Sequence, residues 1–291
     1  MDQDATRYFY EPVLMVLGAV SVVLTGYVAW LTLNDLSLMK PAAQKFVGLD
    51  NYARLLTDAR GLAALWRTAL FTIAVTTIEV LLGLAIVLYL DREFRGRRLV
   101  RALLLIPIIM TPVVVGLTWR FIFDPSTGMA NYVLSLLGQG RPMDWLGNPA
   151  IALFAVMIAD IWQWTPFVVL LTLAALEALP SEPLDAARVD GAREWQVTFY
   201  VLLPMLKRAL LIVALIRAID SVKAFDLFYI MTRGGPALST ETLNLYGYIS
   251  AFTNFSISYA MTIALVLTVV TNVALLAVYG VMFPAREGVR A

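Results

Sequence analysis

The chain has 291 residues, 60% of them apolar and only 15% charged, with a net charge of +1 and a mean hydropathy of +0.77. Soluble domains carry about 25% charged residues, so this composition describes an integral membrane protein. There is no cysteine and no histidine, which excludes disulfides, thiol nucleophiles and histidine-based triads and leaves only carboxylate oxygens as side-chain metal ligands. We therefore expect no catalytic residue and no metal site, and the near-neutral charge gives no footing for nucleic acid.

The first residues, MDQDATRYFYEP, are mildly acidic and lack a basic region or an A-x-A cleavage site, so the apolar segment that follows is expected to be a retained span. A helix crossing the bilayer needs about 20 apolar residues. Six stretches meet or approach that: 13–33, 69–90, 102–123, 150–176, 209–230 and 259–283. The expected fold class is all-α, a single polytopic membrane domain covering 1–291. Lysine and arginine bias sets the orientation. With both ends inside, the inner segments hold twelve such residues and the outer loops six. Both termini, and the polar segment 181–204, are thereby expected in the cytoplasm.

In the outer segment 36–66 a turn at Gly48 leads to a short amphipathic helix with Tyr52, Leu55 and Leu56 on one face. Glu79 is a lone carboxylate in the second span, read as a helix–helix hydrogen bond. The third span carries Pro107 and Pro112. In the fourth, Pro166 deprives the Trp162 carbonyl of its helical partner, which predicts a kink. Asp160, Gln163, Trp164 and Phe167 recur there at three- and four-residue spacing and share one face. A carboxylate, an amide and flat rings suit a neutral polyhydroxyl ligand; the competing reading has Asp160 and Gln163 bonding only between helices.

Segment 181–204 is a charged interruption between apolar spans and reads as two short helices. Ser181 is a candidate N-cap, Glu182 suits the first-turn dipole and Pro183 the first helical position. Asp190-Gly191 supplies a stop. A second helix restarts near Arg193, with Trp195, Phe199 and Leu202 as its apolar face. Ala186 and Ala187 would let a partner approach closely, so the pair reads as a docking element for another protein. In the fifth span Arg217, Asp220, Lys223 and Asp226 follow at three-residue intervals. They predict either a self-neutralising stripe or Asp220 in a cavity, offset by Arg217 or Lys223. The outer segment 232–252 has a sharp turn at Gly234-Gly235-Pro236, and Thr240 is a candidate cap for a helix from Glu241. No G-x-x-x-x-G-K-[ST] stretch occurs, so no nucleotide-binding loop is present.

Ala186, Ala187, Asp190, Gly191, Ala192, Leu203 and Pro204 together resemble the EAA loop of bacterial ABC-importer permeases. Asp185 stands where that family usually has glutamate, and Thr198 where it usually has an aromatic. KFVGLDNYARLLTD and the stretch around Gly234-Gly235-Pro236 resemble outer segments of the maltose-type permeases. The resemblance implies a permease subunit of an ATP-driven, binding-protein-dependent importer for a di- or oligosaccharide or polyol, working by alternating access in the bacterial cytoplasmic membrane. Its implied partners are a second homologous permease, two ATP-binding cassette subunits, an extracytoplasmic solute-binding protein and membrane lipid. ATP and magnesium would be bound by those partners, with no cofactor and no enzymatic activity in this chain. It further implies coupling through Asp185, Ala186, Ala187, Asp190, Gly191 and Ala192, and sugar contacts from Asp160, Gln163, Trp164, Phe167, Asp220 and Ser221. The alternative from another class is a secondary transporter using Arg217, Asp220, Lys223 and Asp226 as a relay.

Overall fold

The computed structural model describes residues 3–39, 44–91, 94–138 and 141–282. Of the charges counted for orientation, Lys40, Arg92, Arg286 and Arg290 lie outside these residues, as does the end of the last expected span at Phe283. The elements run α1 (Gln3–Thr32), β1 (Asn34–Asp35), β2 (Lys45–Phe46), α2 (Asp50–Thr57), α3 (Ala59–Leu90), α4 (Arg97–Leu104), α5 (Ile106–Ile109) and α6 (Pro112–Ile122). They continue with α7 (Met129–Leu136), α8 (Ala152–Glu177), α9 (Glu182–Val189) and α10 (Glu194–Gln196), a π-helical turn at Val197–Leu202, α11 (Leu203–Val222), α12 (Asp226–Met231), α13 (Leu243–Phe252) and α14 (Ile257–Met282). Among the described residues five helices are long and apolar enough to cross a membrane, and a sixth span is possible only through a pair bent by 100°.

That pair occupies the span expected over 102–123 and bends within it. Arg97–Ile109 and Pro112–Ile122 meet at Met110 and Thr111, both extended, with ψ of 137° and 146°. A residue before proline is pushed out of the helical region, and Pro112 also lacks an N–H to continue the ladder. The fifth span is corrected. Its helix runs over Glu194–Val222 and stops there, with α12 beginning afresh at Asp226, so the expected 209–230 started too late and ran too far. The π-turn sits just before Pro204, where a widened turn relieves the clash between the proline ring and the preceding backbone. Pro166, by contrast, does not break α8.

The chain divides into two compact units, Met1–Leu65 with Leu243–Val273, and Trp66–Thr242 with Ala274–Ala291. In the first, β1 and β2 pair antiparallel, with Asn34 opposite Phe46. Helix α2 turns Asn51 and Leu55 inward while Leu56 is 73% exposed, so the expected Tyr52, Leu55, Leu56 face is half right. The reason is polar: Asn51 Nδ2 donates to the carbonyls of Thr32 and Asn34 at 2.8 and 2.9 Å, satisfying backbone freed where α1 ends.

Asp58 then ties this outer segment to α13 and α14. Its Oδ2 accepts from the hydroxyls of Tyr246 and Tyr259, and its Oδ1 from the N–H of Arg60 at 3.0 Å. Arg54 stacks on Tyr259 and Arg60 on Tyr246, at 4.2 and 5.0 Å from the ring centres. Burial pushes the Asp58 carboxyl up. The two tyrosine hydroxyls and the backbone N–H groups of Gly61 and Arg60 outweigh it and hold the carboxyl below its ordinary 3.8. A carboxylate with a depressed folded value stabilises fully above the unfolded value and loses that contribution as pH falls through the folded one. Taking the protein from pH 7 to below pH 3.8 is thus expected to loosen α2. Asp58→Asn should produce that loosening already at neutral pH. Hydrogen exchange of the α2 amides measures it, and exchange that ignores both changes would refute the link.

In the second unit α3, α8 and α11 pack closely. A side chain at Gly83 would place its Cβ 2.5 Å from Val168 Cγ1, so only glycine lets α3 approach α8 this closely. One apolar cluster, including Val87, Leu90, Leu173, Leu176, Leu202 and Leu206, joins α3 and α8 to the π-turn and α11. Segment 181–204 is thereby anchored to the long helices.

Candidate functional site

The segment at 181–204 folds as a helix hairpin. Glu182 and Pro183 open α9 as expected, but Ser181 itself adopts helical angles and its hydroxyl makes no capping bond. The stop is as read. Gly191 takes φ of +84°, with Ala192 N–H donating to the Ala187 carbonyl at 3.0 Å and Gly191 N–H to the Arg188 carbonyl at 3.1 Å. These are the two crossed bonds of a Schellman cap. Arg188 then clamps the hairpin, donating to Asp185 at 3.0 Å and to Glu194 at 3.1 Å. Asp185, the short replacement for glutamate, is thus held by a neighbour on its own helix.

The second arm keeps Trp195 and Phe199 of the expected apolar face open and turns Leu202 inward. Trp195, Phe199 and Tyr200 are exposed at 52%, 62% and 69%, whereas Val197 and Leu202 are buried. A π-turn carries more residues per turn than an α-helix and rotates the stripe out of the phase that α-helical spacing predicts. Thr198 donates to the Glu194 carbonyl at 2.9 Å inside this turn. With Val189 87% exposed, α9 and the π-turn present apolar surface that their own chain does not cover. Ala186, Asp190 and Gly191 lie on the open side with Asp185, while Ala187 and Ala192 are half-buried.

Deep in the second unit, Arg217 stands between two carboxylates. Its Nε and Nη2 donate to Glu79 at 2.6 and 2.9 Å, and Nη2 also to Asp160 at 3.0 Å. All three residues are at most 2% exposed. The indole of Trp164 lies 4.9 Å from the guanidinium carbon, and Phe167 meets Trp164 edge-on at 6.2 Å. Such a cluster is a junction of three helices, α3, α8 and α11.

This placement divides the six expected sugar contacts. Asp160 faces Arg217. Gln163 is buried and donates to the Met110 carbonyl at 3.2 Å, occupying an acceptor freed at the bend before α6. Ser221 is buried, its hydroxyl donating to the Arg217 carbonyl at 2.8 Å. Trp164 and Phe167 are half-exposed and Asp220 is exposed. The interval pattern in the fifth span is corrected as well: Arg217 pairs across helices, and Lys223 and Asp226 fall beyond the end of α11. The four charges do not form one continuous helical stripe for a relay. The helix–helix hydrogen bond expected of Glu79, and the competing interhelical reading of Asp160, are borne out, but sequence reasoning did not name Arg217 as their shared partner. The signal was present, since Glu79 and Arg217 are opposite charges in separate spans, each too costly to bury alone.

Several helices long and apolar enough to span a membrane, with a hairpin between two of them that exposes apolar residues, define the class: an integral membrane protein. Residues 79–287 match the family described as binding-protein-dependent transport system inner membrane component, and the chain belongs to it. It is 35% identical over 241 residues to the trehalose/maltose transport system permease protein MalF of Thermococcus litoralis, covering 81% of each chain. It is also 35% identical over 256 residues to the trehalose transport system permease protein SugA of Mycobacterium tuberculosis, covering 88% of this chain and 81% of that one. Among solved structures, the crystal structure of a bacterial ABC transporter involved in the import of the acidic polysaccharide alginate superposes with a TM-score of 0.82. That match covers 98% of this chain and 99% of the other at 17% identity, a likeness of fold.

Proposed function

We propose that this chain is one of two permease subunits of an importer for a neutral sugar, a disaccharide such as trehalose or maltose being the first to test. Two separate ATPase subunits bind ATP and magnesium and grip the 181–204 hairpin, and an extracytoplasmic binding protein delivers the solute. The setting is a bacterial cytoplasmic membrane with the hairpin inside. The observation that carries the reading is the uncovered apolar face of that hairpin, joined to α3, α8 and α11 by a continuous apolar cluster. Rigid-body switching needs such a stiff lever. When the ATPases close, motion of α9 passes through the π-turn into α11 and turns the bundle.

The groups left open to a sugar are Trp164, Phe167 and Asp220. Flat rings cover the C–H face of a pyranose and a carboxylate accepts from its hydroxyls. The relatives named for trehalose and maltose support this class of solute, and the exposed Asp220 favours a neutral solute over an anionic one. The test is to purify the tagged chain from native membranes, identify its companions by mass spectrometry, and measure ATP-driven uptake in proteoliposomes with the captured binding protein. Trp164→Ala is expected to raise the half-saturating sugar concentration roughly tenfold, about 1.4 kcal/mol, in a complex that still assembles. Absence of an ATPase companion would sink the function, and unchanged uptake by the variant would remove Trp164 from the sugar path.

A further inference from the structure

The arginine-rich edge of the second unit sets charge beside exposed apolar surface. Helix α4 is two-faced, with Arg97, Arg98 and Arg101 on it beside Leu99, Val100 and Leu103, and none of its residues is buried. It leads into the segment that turns by 100° from α6. A short helix with arginines on one face and exposed leucines on the other lies along a bilayer surface.

Beside it opens a groove of about 590 Å³, walled by Val100, Leu103 and Leu104 of α4, Leu82 and Ile86 of α3, and Trp162 of α8. No charged side chain lines it, and the Thr165 hydroxyl is turned away, donating to the Ile161 carbonyl at 2.6 Å. Arg101 reaches Glu177 at the end of α8, at 3.2 Å. Pro166 on the groove wall precedes Glu177 by 11 residues (177 − 166), about 17 Å along the helix. That is close to the depth of one leaflet, half of about 30 Å of hydrocarbon. The α8 wall of the groove thus begins about one leaflet depth from the charged edge, while its α4 wall, Val100, Leu103 and Leu104, lies beside the arginines.

At that edge the Nε–H groups of Arg97 and Arg101 are shielded from solvent, and neither finds an acceptor among the described residues. Guanidinium forks of this kind match phosphate oxygens. A basic stretch alone would follow from the positive-inside rule; shielded donors beside an apolar groove do not.

We propose that this groove binds an anionic phospholipid of the arginine-rich leaflet. Its phosphate sits on Arg97 and Arg101, Arg98 adds to the attraction, and one acyl chain lies along Leu82 and Ile86 toward Trp162. The proposal is independent of which solute is carried. The test uses the whole assembled transporter in nanodiscs of equal phosphatidylglycerol and phosphatidylethanolamine, followed by extraction into detergent and native mass spectrometry of the retained lipid.

Phosphatidylglycerol is expected to stay bound, at least one per copy of this chain and enriched severalfold over phosphatidylethanolamine. Excess inorganic phosphate should leave it in place, because the acyl chain holds it. Arg97→Gln with Arg101→Gln should return the retained lipid to the bulk ratio, and Ile86→Phe, which fills the groove without touching charge, should lower retention severalfold. Equal retention of the two lipids, displacement by inorganic phosphate, or enrichment that survives both changes would overturn the proposal. Where the arginine pair fails to assemble, Ile86→Phe decides alone, and unchanged retention in it is refutation.

Discussion

Gly191→Val is expected to abolish solute uptake and the stimulation of ATP hydrolysis by the binding protein, while leaving the chain in the membrane. The open space around Gly191 makes this a backbone effect, since a Cβ there would meet nothing within 4 Å. What valine cannot tolerate is the φ of +84°, a region that β-branched residues essentially never occupy. Straining out of it costs on the order of 1–3 kcal/mol and opens the two crossed bonds that end α9. The Arg188 clamp then loses its geometry, because Asp185 and Glu194 lie on opposite sides of the turn. A graded series separates this cause from general damage. Gly191→Asn should retain most activity, since asparagine accepts the left-handed conformation at helix ends. Gly191→Ala should fall between. Uptake and ATPase assays on the reconstituted complex read the series. A valine variant that transports normally would break the link between this turn and coupling.

The ends of α9 were legible in the sequence because their signals are local: Pro183 at the start, Asp190-Gly191 at the stop. The junction at Arg217 was not, because the nearest opposite charge along the chain, Asp220, is a plausible helical partner and the true partners lie on two other helices. Local spacing favoured the wrong pairing; burial decided it, since only a group placed between Glu79 and Asp160 is fully paired out of water. Gln163 tells the same story. Its place on the face with Trp164 suggested a ligand contact, but the bend at Met110 frees a carbonyl that the amide occupies. The bend had its own signal in Pro112, overridden in the reading by the apolar run on either side. Phase was lost between Phe199 and Leu202 because a period of 3.6 does not hold through a π-turn, and nothing in residues 197–202 announces one apart from Pro204 just beyond.

Arg217→Leu is expected to be the most destabilising single change in the second unit. Removing one partner of a buried ionic cluster leaves its counter-charges uncompensated, at about 3–5 kcal/mol, a large share of the roughly 5–15 kcal/mol that keeps a domain folded. Here two carboxylates, Glu79 and Asp160, both at most 2% exposed, would face each other without the cation that pairs them. Arg217→Lys retains the charge but loses the fork that spans both carboxylates, so it should recover only part of the loss. The more telling variant adds Glu79→Gln and Asp160→Asn to Arg217→Leu. With all three charges gone no ion is left buried, and stability should rise well above that of the single leucine variant, a coupling that independent sites do not show. Thermal unfolding of the purified complex, followed by size-exclusion chromatography, measures all three. The same series reassigns Asp160: Asp160→Asn alone should lower stability more than it shifts the half-saturating sugar concentration. A shift in that concentration with stability intact would return Asp160 to the sugar path. Should Arg217→Leu unfold at the wild-type temperature, the three helices are held by packing alone and the junction is incidental.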